Sequence, residues 1–226
     1  MIFYAPDCSM QHSEYTLSEL ESKHCIKVLR KVNGDKIELV NGKGGQFVCE
    51  IIDQHIKKCR VKIIKPTQHE PQNKALHVAM AIPKSSDRLE WFLEKATELG
   101  LSRLSLINCT NSERKSINQK RLEKIAISAL KQSKRYYLPK IEAPIPFLTF
   151  IKNEPDGYIG HCYEAKKKPA TTISKAAPIL IGPEGDFSPK EVEEAKGAGY
   201  IEIELSKNRL RTETAALCSV FYLLNV

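Results

Sequence analysis

No apolar run in this sequence approaches the length of a bilayer-crossing helix, because charged residues interrupt every one of them. The first ten residues, MIFYAPDCSM, lack a basic start and an apolar stretch, so no secretory signal is expected. The seven cysteines stand at positions 8, 25, 49, 59, 109, 162 and 218, with no C-x-x-C pair and an odd count. That excludes zinc-ribbon spacing and argues against a disulfide scaffold; a reduced, cytoplasmic protein with no membrane contact and no metal is expected. Neither G-x-G-x-x-G nor G-x-x-x-x-G-K-[ST] occurs, so no dinucleotide or ATP phosphate cradle is indicated. No internal repeat or low-complexity tract is present.

The chain has 226 residues, 42% of them hydrophobic, which suits one large domain or two modest ones. Its net charge of +8 is unevenly placed: residues 103–140 carry ten basic and two acidic side chains, the whole of the excess. A concentrated excess is the electrostatic footprint of a nucleic-acid face, and this reading is favoured over a merely solvated helix surface.

Residues 1–66 read as mostly β. The runs DKIELV, GQFVCEII and CRVKIIK are separated by Asn33-Gly34-Asp35 and by Asn41-Gly42-Lys43-Gly44-Gly45, a hairpin signal. One helix is expected at 18–30, with Leu20, Val28 and Leu29 on its buried face. Several short strands with one helix suggest a small barrel. Residues 66–74, PTQHEPQNK, are polar, hold two prolines and read as a linker.

From Ala75 the pattern alternates. Strands are expected at 75–82, 103–109, 138–141, 157–162, 178–182 and 200–205. Helices are expected at 86–99, 118–133, 188–197 and 212–224. Leu89, Phe92, Leu93 and Ala96 share one face of the first of these, Trp91 reads as packing near that face, and Gly100 ends it. Alternation of this kind means an α/β fold with a mainly parallel sheet. His24 and His77 read as structural.

Two strand-to-helix loops stand out. In PILIGPEGDFSPKEV, Ser188, Pro189 and Glu191 make a strong helix start, so residues 182–187 lie at the carboxyl end of a strand, where ligands bind in open α/β sheets. Gly182 and Gly185 permit close backbone approach, and Glu184 and Asp186 would repel phosphate but tolerate a cation. An ordinary βα turn with a good cap remains an equal reading. The second loop, SKNRLRTETAAL, places Arg209 and Arg211 beside Glu213, with Thr212 or Thr214 as cap. Two such loops after neighbouring strands would form one pocket.

The pair IGPEGDFSPKEV and LSKNRLRTETAA resembles the RsmE family of 16S rRNA (uracil-N3) methyltransferases, within the SPOUT class. HCIKVLRKVNGD, AIPKSSDRLEWFLEKATELGL, NCTNSERKS and LKQSKRYYLPKI agree with the family in the same order along the chain. The resemblance implies a PUA-like β-barrel RNA-binding domain at 1–68 and a SPOUT α/β methyltransferase domain with a trefoil knot at 75–226. It also implies S-adenosylmethionine as cofactor, a homodimer, and 16S rRNA within the 30S subunit as partner. The reaction would be methylation of N3 of one uridine. A ribosome-assembly protein that kept the fold and a nucleotide-dependent α/β enzyme are the competing readings; the cofactor loops argue against the first and the missing phosphate motifs against the second.

Carried over by resemblance, the cofactor would contact Leu180, Ile181, Gly182, Pro183, Glu184, Gly185, Leu205, Ser206, Leu210, Thr214 and Ala215. HCYEA, residues 161–165, would form a third wall. Arg211 would stabilise the developing uracil anion, and Glu213, Glu184 or Glu164 would be the base, with Arg211 and Glu213 the catalytic pair. Arg30, Lys84, Arg114, Lys115, Arg135 and Arg209 would hold RNA, and Tyr136 or Tyr137 would stack on an extruded base. Three departures from the family pattern are present: Asp186 where a glycine is frequent, Ser206 where a glycine is frequent, and Asn208-Arg209 in place of an Arg-Ile pair.

Overall fold

The computed structural model describes residues 1–71, 76–173 and 176–224. Two compact units are present: Met1–Gln72 with Ile127–Leu138, and Asn73–Ala126 with Pro139–Val226.

The first unit is built on a five-stranded mixed sheet. Its strands are β1 (Ile2–Tyr4), β2 (Glu14–Thr16), β3 (Lys36–Val40), β4 (Gly45–Asp53) and β5 (Arg60–Gln68), in the order β1-β3-β4-β5-β2. β1 runs parallel to β3, and the other pairs are antiparallel. Along β4, Phe47, Cys49 and Ile51 are buried while the residues between them are less so, the alternation of a sheet with one wet face. They pack with Phe3, Leu39, Cys59 and Val61. Each such fully buried large side chain contributes about 1.5–3 kcal/mol relative to exposure. β5 extends through Pro66 and Thr67, so the expected linker starts inside a strand; its residues 72–74 lie outside the described residues.

The expected helix at 18–30 is shorter and of two kinds. α1 (Glu19–Lys23), capped by Ser18, runs into a π-helical turn at His24–Val28. Leu20 and Val28 are exposed, contrary to expectation; the inward face is Glu21, Ser22 and Cys25, with Leu29 partly covered. The inward stripe follows polar residues because they have partners there: Glu21 pairs with Lys131 at 2.7 Å, and the Ser22 hydroxyl donates to the Leu17 carbonyl and accepts from the Cys59 amide. The basic stretch 127–138, expected in the second domain, packs with this unit. Leu130, Tyr136 and Leu138 lie against Ile2 and Val40, Tyr136 stacks on His69 at 3.8 Å, and the Tyr137 hydroxyl donates to the His69 carbonyl at 2.7 Å.

The second unit contains an all-parallel sheet. Its elements are β6 (His77–Ala81), α2 (Ser86–Leu99), β7 (Arg103–Asn108), α3 (Gln119–Ser133, whose later half belongs to the first unit) and β8 (Lys140–Ile141). They continue with β9 (Ile145–Pro146), α4 (Phe147–Asn153), β10 (Gly157–Gly160), β11 (Lys168–Pro169), β12 (Ile179–Ile181), α5 (Pro189–Gly197), β13 (Tyr200–Glu204) and α6 (Thr212–Leu223). The strand order is β11-β13-β10-β12-β6-β7-β8, with β9 beside β7. β6 and β12 are buried along their whole length, as strands covered on both faces must be. Ala75, the expected first residue of β6, is outside the described residues.

β12 and β13 are neighbours in sequence but not in the sheet, because β10 lies between them; the expected adjacency is corrected accordingly. α4 was not expected. Its Phe147, Phe150 and Ile151 enter the main core with Phe187 and Tyr200. α2 buries Leu89, Phe92, Leu93 and Ala96, and Gly100 ends it with φ 93° in the left-handed region. Trp91 is exposed: at about 100° per residue it falls on the side opposite that stripe, not beside it. α5 begins with the full capping box, the Ser188 hydroxyl accepting from the Glu191 amide at 3.3 Å and Glu191 accepting from the Ser188 amide at 2.8 Å. Among the described residues no helix is long and apolar enough to cross a membrane.

Candidate functional site

The carboxyl ends of β10, β12 and β13 surround a cavity of about 750 Å³, within the range of small-molecule sites. The loop from β12 to α5 contributes Ile181, Gly182, Pro183, Glu184 and Asp186. The loop from β13 to α6 contributes Leu205 through Arg211, and α6 adds Thr212 and Ala215. The third wall is Gly160, His161 and Cys162, with Lys167 nearby.

Local chemistry explains how the loops hold this shape. A Cβ at Gly182 would stand 3.1 Å from the Phe187 amide nitrogen and ring, so a side chain here would press on Phe187 and push it aside by a few tenths of an ångström. The Thr212 hydroxyl donates to the Gly182 carbonyl at 3.1 Å, tying the two loops together. Thr212 or Thr214 was expected as the helix cap. Instead Arg211 occupies the cap position without a side-chain cap bond, and Thr212 is the first residue of the helix. The Arg209 guanidinium donates to the Glu184 carbonyl at 3.4 Å, and the Lys84 amide donates to Glu184 Oε1 at 3.1 Å.

The expected cofactor residues Ile181, Gly182, Pro183, Glu184, Leu205, Ser206, Leu210 and Ala215 all stand on the cavity wall. Leu180, Gly185 and Thr214 do not: Leu180 points into the main core, and a Cβ on Gly185 would face Asn111. Arg211 is on the wall and exposed. Glu213 is buried and off the wall; Arg88 lies 3.7 Å from its Oε1, and its Oε2 has no partner among the described residues. Glu164 is also off the wall, which leaves Glu184 as the one wall residue among the three carboxylates considered as base. Arg209 and Lys84 are at or beside the cavity, and Lys84 pairs with Glu113 at 2.9 Å. Arg114, with its guanidinium on the Ser116 carbonyl, and the exposed Lys115 follow β7 in the same unit. Arg30 and Arg135 belong to the first unit, and burial lowers the Arg135 pKa. The ring face of Tyr136 and the hydroxyl of Tyr137 are engaged with His69 in that unit.

Lys167, Ile203 and Thr212 were missed as wall residues. Their only signal was proximity to a strand end. His161 Nε2 lies 2.8 Å from Glu202 Oε1, and the His161 side chain is only 1% exposed. Desolvation, and then the Asp186 carboxylate, pushes the Cys162 thiol up, which argues against a thiolate nucleophile at neutral pH.

The sequence matches the RNA methyltransferase domain family over residues 70–224 and the RNA methyltransferase PUA domain family over residues 17–64. A protein of Mesomycoplasma hyopneumoniae named ribosomal RNA small subunit methyltransferase E is 30% identical over 221 residues, covering 87% of this chain and 93% of that one. The chain belongs to this RNA methyltransferase family. Its fold is correspondingly the SPOUT α/β architecture with an N-terminal PUA-like unit. Among solved structures, a probable rRNA-methyltransferase from Porphyromonas gingivalis is 37% identical with a TM-score of 0.88, covering 98% of this chain and 95% of that one. The ribosomal RNA small subunit methyltransferase E of Neisseria gonorrhoeae, solved bound to S-adenosyl methionine, is 26% identical with a TM-score of 0.84, covering 97% and 94%.

Proposed function

We propose that the protein is an S-adenosylmethionine-dependent rRNA methyltransferase that modifies N3 of one uridine of 16S rRNA, as a cytoplasmic homodimer acting on the 30S subunit. The observation that carries this reading is the cavity itself: two strand-to-helix loops with glycine-turned backbone, apolar side chains and no phosphate cradle. S-adenosylmethionine carries a sulfonium cation and supplies, when bound, an electrophilic methyl group.

The wall fits that group. Ile181, Pro183, Leu205, Leu210 and Ala215 offer an apolar slot for a purine, and the backbone of 182–184 and 205–210 offers hydrogen-bonding groups beside it. Glu184 and Glu204 add carboxylates that a cation tolerates and a phosphate does not. On the substrate side, Arg211 projects from the helix cap, where its guanidinium stabilises charge developing on the uracil carbonyl oxygens. Glu184, whose Oε1 accepts from the Lys84 amide, serves as the base that takes the N3 proton. Lys84, Arg114, Lys115 and Arg209 supply phosphate contacts from the second unit, and Arg30 and Arg135 from the first.

The test is methyl transfer from labelled S-adenosylmethionine to 30S subunits lacking the modification, with naked 16S rRNA alongside and the product mapped. N3-methyluridine at a single site is the expected product. Cofactor binding without transfer to either substrate would remove the assigned target, and absence of cofactor binding would remove the reading altogether.

A further inference from the structure

Three strand ends converge on one residue of the β12–α5 loop. Asp186 has φ 62°, in the left-handed region where a residue with a Cβ is strained. Its carboxylate bonds in two directions: Oδ1 accepts from the Phe187 amide at 2.8 Å, and Oδ2 accepts from the Cys162 amide at 2.7 Å. Its carbonyl accepts from Asn111 Nδ2 at 3.0 Å, and the same nitrogen donates to the Gly185 carbonyl at 3.1 Å. One residue further on, the Tyr163 hydroxyl donates to the Phe187 carbonyl at 2.7 Å. Loops following β7, β10 and β12 are thereby joined, and both Cys162 and Asp186 stand on the cavity wall.

We propose that Asp186 is a positioning residue for the cofactor: its carboxylate latches the segment after β10 onto the 182–187 loop and so fixes the separation of two cavity walls. This rests on the functional reading above. The backbone conformation alone would favour glycine, so the carboxylate has to be retained for what it bonds. The bond to Cys162 is charge-assisted and short, and it joins two wall residues beyond the end of the β10–β12 ladder. A wall that drifts by a fraction of an ångström loosens every contact to a bound ligand at once.

The variant Asp186→Gly separates carboxylate from backbone, because glycine adopts the same φ without strain. The expected result is a thermal midpoint somewhat below the parent's with a cooperative transition retained, a Cys162 amide that exchanges faster without ligand, and a KM for S-adenosylmethionine raised about tenfold with a smaller change in kcat. Asp186→Asn keeps one acceptor oxygen and tolerates the same φ, so its KM is expected between the two. A glycine variant with KM within twofold of the parent overturns the proposal. If that variant does not fold, the asparagine variant is judged alike: a KM raised threefold or more supports the latch, and a parental KM overturns it. If the parent itself binds no S-adenosylmethionine, the functional reading falls, and the latch is decided by exchange alone. Faster Cys162 exchange in the variant then supports it, and equal rates overturn it.

Discussion

Around the amino ends of β6 and β7, beside β8, polar side chains bond to one another. His77 Nε2 lies 2.8 Å from the Ser105 hydroxyl, which donates to Glu142 Oε2 at 2.6 Å; Arg103 spans Glu142 at 3.0 Å and Glu154 at 2.6 Å. Among the buried side-chain nitrogens and oxygens described in that group, Arg103 Nε alone lacks a partner. At the carboxyl ends of β10, β12 and β13, by contrast, Arg211, Lys207 and Glu204 stand exposed around a cavity. Both ends of one sheet are charged. The closed network spends its hydrogen bonds internally and leaves nothing for a ligand, whereas the open one has kept its groups available. Charge by itself therefore does not mark a candidate site; charge beside a cavity does.

The comparison breaks most visibly at Arg211. Arg211→Ala is expected to lower kcat by about 10²–10³-fold, the usual result of losing a donor to a developing oxyanion. Its thermal midpoint should stay near the parent's, since Arg211 is exposed. Labelled methyl transfer and calorimetric cofactor binding, run on the same preparation, check this. Equal loss of transfer and of binding would move Arg211 to the cofactor side.

The closed end should answer to pH instead. Burial, and then the Arg103 charge, pushes the His77 pKa from its ordinary 6.5 down to about 4. As pH falls, the unfolded chain takes up that proton first, so stability is lost between about pH 6.5 and pH 4, by roughly 3 kcal/mol over the whole span. Glu142 follows at lower pH. Burial raises its pKa, but bonds from Lys140, Ser105 and Arg103 outweigh that and hold it at about 2, so its contribution fades from about pH 4.5 down to 2. Urea midpoints at pH 7 and pH 5 measure the first limb. His77→Gln, which keeps a bond to Ser105 and cannot titrate, should flatten it.

Glu142→Gln sharpens the same contrast. It should cost about 2 kcal/mol of stability, because a partly buried Arg103 loses one of its two carboxylates. Cofactor binding and methyl transfer should remain within twofold of the parent. A comparable loss of activity would mean that the amino end is coupled to the cavity.

Much of this was legible in the sequence, for identifiable reasons. Ser188, Pro189 and Glu191 announce α5 because the capping box is local chemistry, satisfied within four residues. β6, β7, β10, β12 and β13 are apolar enough to read as buried strands. Their order in the sheet was not readable, since nothing local states that β10 separates β12 from β13. The exposed Leu20 and Val28 misled because apolarity was taken as burial, while Glu21 and Ser22 turn inward toward partners distant in sequence. At the cavity, Gly182 and Arg211 were legible as types. The bond of Thr212 to Gly182 and that of Asp186 to Cys162 were not, because both join segments more than twenty residues apart.

The smallest expected effect tests which side of the open end faces RNA. Lys84 extends from the β6–α2 loop and pairs with Glu113, both side chains well exposed. An exposed pair of this kind contributes little to stability, so Lys84→Ala should leave the thermal midpoint unchanged. A lysine that meets a phosphate behaves differently. Its removal weakens 16S rRNA binding severalfold and lowers the slope of log affinity against log salt by about 0.7–0.9, one counterion's worth. Filter binding across a salt series reads that slope directly, and cofactor affinity measured alongside should not change. If the slope is unaltered, Lys84 serves only Glu113, and the RNA path has to run along the Arg209 and Arg211 side of the cavity instead.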